Sequence, residues 1–273
     1  MVKVRDILTW LDAYAPFRYA ASWDNCGLQV GNPEADVNRV LVALDAGSET
    51  LMEARGGVCD CVVTHHPLLF QPIKSIDVNV SPGSLIANAL CHGIHIIAAH
   101  TCLDVCRDGT NEQLARLLGL ESWEPLEIDA SWVAEERYAG LGCVGWIPAP
   151  LSLREFVGHV KQSLDGIPLR LVGDSRRRVH RVALCSGSGG SLLGKAVASH
   201  CDVYVTGDLK YHEAKSALEA HLALIDIGHF ASEKLILQPL VTYLRHQAAC
   251  AGASLEVFSG QGERDPFTTL GTE

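Results

Sequence analysis

The feature that most constrains this chain is a long-range internal repeat. Arg39-Val40-Leu41-Val42-Ala43-Leu44 matches Arg181-Val182-Ala183-Leu184-Cys185-Ser186, and Cys59-Asp60-Cys61-Val62-Val63-Thr64 matches Cys201-Asp202-Val203-Tyr204-Val205-Thr206. Both pairs are displaced by the same 142 positions, as are Leu51 from Leu193 and Ala54 from Ala196. Several matches at one displacement point to a duplicated unit. Each copy reads as strand, helix, strand: Val40 to Leu44, Glu49 to Arg55 and Cys61 to Thr64 in the first, Val182 to Cys185, Ser191 to His200 and Val203 to Thr206 in the second. Short apolar runs bounded by polar residues fit buried strands. Strands alternating with helices predict an α/β sheet with right-handed crossovers.

The parallel extends to a third strand. Ile94 to Ala99 is followed by His100 and, four residues on, Asp104; Leu222 to Gly228 is followed by His229 and, four on, Glu233. The pattern predicts two similar α/β domains, 1–127 and 128–273. Between the copies, Gly140, Gly142 and Gly145 alternate with apolar residues, which suggests a strand with a close backbone approach. Ser152-x-x-Glu155 is a capping box opening a helix to about Leu164, and Leu169 to Val172 reads as a strand. Val4 to Tyr14 is predicted as a helix at the edge of the first domain, and 261–273 as a loosely held tail.

Composition narrows the function classes. In 273 residues, 48% are hydrophobic and 20% charged, an ordinary globular balance. No stretch has the roughly 18–20 apolar residues of a membrane-spanning helix. Asp6 and Asp12 break up the opening segment, so it lacks the apolar core of a secretory signal, and the expected compartment is the cytoplasm. With 22 basic and 32 acidic residues the net charge is −10, which argues against nucleic-acid and anionic-membrane partners. The Arg176-Arg177-Arg178 run reads as a solvated hairpin or loop. Ten cysteines, without a signal segment and without paired CxxC motifs, read as reduced thiols, several of them small buried hydrophobes.

Ligands of open α/β sheets bind beyond the carboxyl ends of the strands. Four such ends carry polar residues: Thr64-His65-His66-Pro67, His100 to Asp104, Thr206 to His212, and His229 to Glu233. Imidazole with carboxylate suits first-row divalent ions. Adjacent histidines in extended backbone face opposite ways, so His65 and His66 are expected to bind separate neighbouring ions, with a carboxylate as bridge. The remaining imidazole nitrogens need hydrogen-bond partners, and Asp24, Asp45 or Asp208 can supply them. Lys210, Tyr211 and His212 read either as substrate contacts or as a helix start with Asp208 as N-cap. Gly187-Ser188-Gly189-Gly190-Ser191 reads as an anion cradle or a plain strand-to-helix turn.

Together, Ser22-Trp23-Asp24-Asn25-Cys26-Gly27-Leu28-Gln29-Val30-Gly31, Thr64 to Phe70, Gly187 to Ser191, Thr206 to His212 and Gly228 to Glu233 resemble the Nif-three-like family, also named GTP cyclohydrolase I type 2 homologs and including the YbgI-like proteins. The resemblance runs from about Val4 to Phe267. It implies a dinuclear metal centre in the cleft between the two domains and a toroidal homohexamer. Two divalent ions (zinc, iron, manganese, nickel or cobalt) would be held by His65, His66, Asp104, His229 and Glu233, with Glu233 as the bridge. His100 becomes a sixth ligand, a donor behind the ligands or, like His212, a proton shuttle, and Lys210 a phosphate or substrate contact. The activity implied is hydrolysis of a nucleotide or related phosphorylated or heterocyclic small molecule through a metal-activated water, with GTP suggested by the family name. The alternative is a non-catalytic metal carrier or regulatory scaffold.

Overall fold

The structure is a computed structural model describing residues 1–128 and 140–269. The chain divides into two units: 1–103 with 236–264, and 104–235 with 265–273.

In unit 1, helix α1 (Val4–Tyr14) is followed by strand β1 (Gly27–Val30), strand β2 (Arg39–Ala43), helix α2 (Ser48–Gly56), strand β3 (Cys61–Thr64), helix α3 (Gly83–Cys91) and strand β4 (His95–Ala98). The helix Leu237–Cys250 and the strand Glu256–Ser259 return to complete it. The sheet runs Glu256–Ser259, β2, β3, β4, β1, with only β1 antiparallel. The four residues of β3 are all buried, as expected of a parallel strand covered on both faces. Leu41, Val62 and Ile96 pack with Leu51, Ala54, Ile86 and Ala89 on one face.

Helix α4 (Thr101–Val105) straddles the division, with only Asp104 and Val105 in unit 2, which continues with helix α5 (Thr110–Leu117), strands β5 (Ser122–Glu127) and β6 (Leu141–Ser152), helix α6 (Leu153–Ser163) and strands β7 (Arg170–Val172) and β8 (Arg178–Ser188). Helix α7 (Leu193–Ala198), strand β9 (Val203–Gly207), helix α8 (Tyr211–Glu219), strand β10 (Ala223–Asp226) and helix α9 (His229–Glu233) follow. Its sheet order is β5, β6, β8, β9, β10, β7, with β8, β9 and β10 parallel. Alternate residues face opposite layers: Val182, Leu184, Val203 and Val205 join Phe156 and Val160, whereas Ala183, Cys185 and Tyr204 join Leu192 and Ala196.

The sequence repeat corresponds to a repeated hydrogen-bonding device. The Asp60 carboxylate accepts from the Asn38 and Arg39 amides, and 142 positions on the Asp202 carboxylate accepts from those of His180 and Arg181. The partnership Val40–Cys61 recurs as Val182–Val203. In each sheet the third parallel strand is closed by an antiparallel edge, β1 on β4 and β7 on β10.

Local expectations are met at α1, which spans Val4–Tyr14, and at α6, where Ser152 Oγ accepts from the Glu155 amide and the Glu155 carboxylate accepts from the Ser152 amide. Such a box stabilises a helix by about 1 kcal/mol. Gly145 faces the carbonyl oxygen of Ser122, which a Cβ would meet at 2.2 Å, so the glycine-rich strand is required by close approach. Arg176 is exposed and paired with Asp174 in the β7–β8 turn. None of the ten cysteines is in a disulfide, and Cys59, Cys61, Cys102, Cys106, Cys143, Cys185 and Cys201 are buried.

Three expectations are corrected. The observed division falls after residue 103 rather than near 127, because the last helix and strand add to the first sheet beside β2, a return that a linear repeat does not reveal. Asp104, assigned to the first domain, therefore lies in unit 2. Residues 261–264 are not loosely held: the Glu263 carboxylate accepts from the amides of Leu44 (2.8 Å) and Asp45 (2.7 Å), while Glu53 accepts from those of Gln261 and Gly262. Residues 270–273 of that tail lie outside the described residues. No described helix is long and apolar enough to cross a membrane.

Candidate metal centre

In unit 1 the carboxyl ends of β3 and β4 deliver three imidazoles. Regular pairing of β3 ends at Thr64, so strand alternation no longer separates the next two residues, and the His65 and His66 rings lie 4.9 Å apart. This corrects the expectation that they face opposite ways. His100, just past β4, lies 5.2 Å from His65 and 5.5 Å from His66 by ring centres. One ligand atom from each of the three lies within 4.8 Å of the others.

Each ring is oriented through Nδ1. His65 Nδ1 is 3.0 Å from the Ala99 carbonyl, His66 Nδ1 is 3.0 Å from Asp45 Oδ1, and His100 Nδ1 is 2.9 Å from Asp24 Oδ1. An Nδ1–H donated to these oxygens fixes the tautomer that presents the Nε2 lone pair to a metal. The Asp24 side chain is shielded from solvent. Burial works against its charge, but hydrogen bonds from His100 and Thr101 prevail and hold the carboxyl well below the usual range. Exposed Trp23 and Phe70 stand beside His100, their ring centres 6.1 and 6.2 Å from it and 5.6 Å from each other.

In unit 2, Asp208 follows β9 with φ +56° and its carboxylate lies 2.8 Å from His229 Nδ1. Asp208 is therefore a histidine partner. The α8 N-cap is Lys210, whose amide donates to Glu213. On α9, His229 Nε2 is 3.0 Å from the buried Glu233 Oε2. The Glu233 hydrogen bond is the largest influence on His229; with Asp208 it outweighs burial and raises the imidazole to about 9. A Cβ on Gly187 would meet Glu233 Oε1 at 2.2 Å, and φ there is +63°, so only glycine fits. Asp104 accepts from Thr110 Oγ1 at 2.6 Å, Thr110 accepts from Ser186 Oγ at 2.8 Å, and the Gly187 amide reaches Ser232 Oγ, which donates to the His229 carbonyl. A buried polar chain thus ties Asp104 to the start of α9.

Of the five expected ligands, His65 and His66 follow β3 in unit 1, whereas Asp104 lies on α4 and His229 and Glu233 on α9 in unit 2; His100 groups with the first two. Lys210 and His212 are exposed at the start of α8, with the Tyr211 ring against His212. The glycine loop is a poor anion cradle, since Cβ atoms on Gly187 and Gly190 would meet the Glu233 and Glu213 carboxylates. The sequence reading missed Thr110, Ser186, Ser232 and Glu263. Thr110 meets Asp104 only six positions away, but Ser186 meets Thr110 across 76 positions, Ser232 meets the Gly187 amide across 45 and Glu263 reaches the Leu44 amide across 219.

The donor chemistry fits divalent first-row ions. The imidazoles are oriented by carboxylates or a carbonyl, and carboxylate oxygens accompany them. Glu263 holds the backbone of Asp45, which holds His66. Glu263→Gln is expected to weaken binding of a divalent ion about tenfold, measured by calorimetric titration.

The Duf34/NIF3 (NGG1p interacting factor 3) family model matches residues 2–266. The chain is 35% identical over 272 residues to a GTP cyclohydrolase 1 type 2 homolog of Streptomyces coelicolor, covering 98% of this chain and 94% of that one. It is 30% identical over 266 residues to the similarly named protein of Clostridium acetobutylicum, covering 97% and 98%. The crystal structure of a Bacillus cereus protein related to NIF3 superposes with a TM-score of 0.91 at 26% identity, covering 98% of this chain and 99% of that one.

Proposed function

This chain belongs to the Duf34/NIF3 family, and on that premise we propose that it is a dinuclear-metal-dependent hydrolase of a nucleotide or related heterocyclic small molecule. The observation that carries the reading is the shared orientation of the imidazoles: His65, His66, His100 and His229 all engage Nδ1 with an oxygen, three of them with an aspartate. Exposed His92 also turns Nδ1 to a carbonyl, that of Asn88 in the helix it caps, so the distinguishing feature is the aspartate behind His66, His100 and His229, the partner that a ligating imidazole takes. Two divalent ions held by His65, His66, Asp104, His229 and Glu233 would supply Lewis acidity and a nucleophile from water at neutral pH.

The chain's own residues supply the rest. Glu233 is the candidate bridge, and Asp24, Asp45 and Asp208 keep the rings aligned. His100 serves as a further ligand or as a proton carrier beside the ions. Trp23 and Phe70 offer exposed aromatic faces on which a flat heterocycle can stack. Lys210 and His212 are proposed as the substrate-side cation and a proton shuttle. A toroidal homohexamer in the cytoplasm belongs to the same reading.

The test is elemental analysis of protein purified without chelator, followed by turnover of GTP by metal-loaded wild type, His65→Ala and Glu233→Ala. About two ions per chain are expected in wild type, with activity lost in both variants. Equal rates in all three proteins reject a catalytic centre of this kind. Bound metal without turnover, released readily to a competing chelator, favours a metal carrier.

A further inference from the structure

Cys26 lies just before β1 and Cys102 on α4, 76 positions apart, yet their Sγ atoms are 3.5 Å from each other. A disulfide needs about 2.05 Å, so closure requires about 1.5 Å of movement, within reach of side-chain rotation and small backbone shifts. Cys26 is partly exposed and Cys102 is buried behind it. We propose that Cys26 and Cys102 form a redox-active dithiol that closes to a disulfide on meeting a hydroperoxide or a low-molecular-weight disulfide. Cys26 is the entry point. Its thiolate displaces one thiol of the small disulfide, giving a mixed disulfide, and Cys102 then attacks Cys26 Sγ and expels the second thiol. The pair loses two electrons and two protons, and the small disulfide is reduced to two thiols. With a hydroperoxide, the Cys26 sulfenic acid is the intermediate and water leaves as Cys102 attacks.

The surroundings favour this pair over the other thiols. Burial pushes the thiols of Cys61, Cys143 and Cys185 far up and that of Cys201 up to about 11, which keeps them inert. Cys91 and Cys250 are exposed on separate helices. The dithiol also abuts the candidate metal centre. Cys26 Sγ is 3.3 Å from Asp24 Oδ2 and accepts from the His100 amide. Closure removes the S–H donor from Asp24 and ties the entry of β1 to the segment that carries His100.

The experiment is equilibration of the full chain with oxidised and reduced glutathione, and separately with hydrogen peroxide, followed by alkylation and peptide mass mapping. Expected is a Cys26–Cys102 linked peptide, lighter than the two free peptides by about 2 Da and lost on reduction. Cys26→Ser should abolish it, and Cys91→Ser should leave it unchanged. Cys26 and Cys102 both recovered as free thiols, glutathione adducts or sulfinic acid, without the linked peptide, would overturn the proposal. The readout needs no bound metal, so it stands or falls apart from the hydrolase reading.

Discussion

An Asp24→Asn protein binds divalent metal about 10- to 100-fold more weakly than wild type and is less stable by about 2 kcal/mol. One carboxylate serves both roles. Asp24 Oδ1 takes His100 Nδ1 and the Asn25 amide, while Oδ2 takes the Thr101 amide, the Thr101 hydroxyl and the Cys26 thiol. An amide in its place turns one acceptor into a donor that confronts groups already donating, and each buried donor so orphaned costs about 1–3 kcal/mol. The His100 ring is then left facing either an amide N–H2 or a weaker neutral acceptor, and its tautomer is less firmly fixed. Calorimetric titration of metal and denaturant unfolding of the apo protein read the two effects separately. The sign of the pH dependence follows from the depressed carboxyl. Stability from Asp24 is fully present above the unfolded value of about 3.9 and is lost as pH falls below it. The gap between wild type and Asp24→Asn is therefore wide at neutral pH and narrows in acid; a gap that does not change between pH 7 and 3 sinks the argument.

Much of this architecture was legible because its strands are buried on both faces. Val40 to Leu44 and Val203 to Thr206 are runs that polar residues end abruptly, and just past those ends stand Asp45 and Asp208, the partners of His66 and His229. The capping box at Ser152 and Glu155 was equally plain, since both partners lie within one helical turn. What failed depended on long-range contacts. Nothing in the run from Leu237 to Ser259 announces that its strand adds beside β2, so the division after residue 103 was invisible. His65 and His66 were assigned opposite directions by strand alternation, a rule that lapses where β3 stops pairing. Asp24, Asp45 and Asp208 were recognised as three candidate partners without assignments, because a carboxylate's partner is set by tertiary approach: Asp24 meets His100 across 76 positions, and Asp45 and Asp208 each meet their histidine across 21. Glu263 was missed for the same reason.

Metal uptake by this protein rises with pH up to about 9, and binding near neutrality releases a proton from His229. In the apo chain the imidazole is held at about 9, first by Glu233, then by Asp208, against the opposing effect of burial. Below that value it carries the proton at Nε2 that a metal must replace, so this one group imposes up to a tenfold gain in affinity per pH unit, which ends where the ring is already neutral. The same pairing stabilises the apo fold only while the ring is charged: that contribution is complete below about 6.5 and is lost as pH rises through about 9. Metal affinity and apo stability therefore move in opposite directions over this window. Titration of a divalent ion in buffers of different ionisation enthalpy counts the protons, and a count that does not fall between pH 7 and 10 contradicts the assignment. Asp208→Asn separates the two roles of that carboxylate. Losing the charge lowers the His229 value and eases proton loss, whereas the weaker, neutral amide acceptor holds the ring less firmly. The first effect matters only while the ring would otherwise be protonated, so the variant's deficit in metal affinity is smaller at pH 7 than at pH 9.5, the reverse of what simple damage to the fold would give.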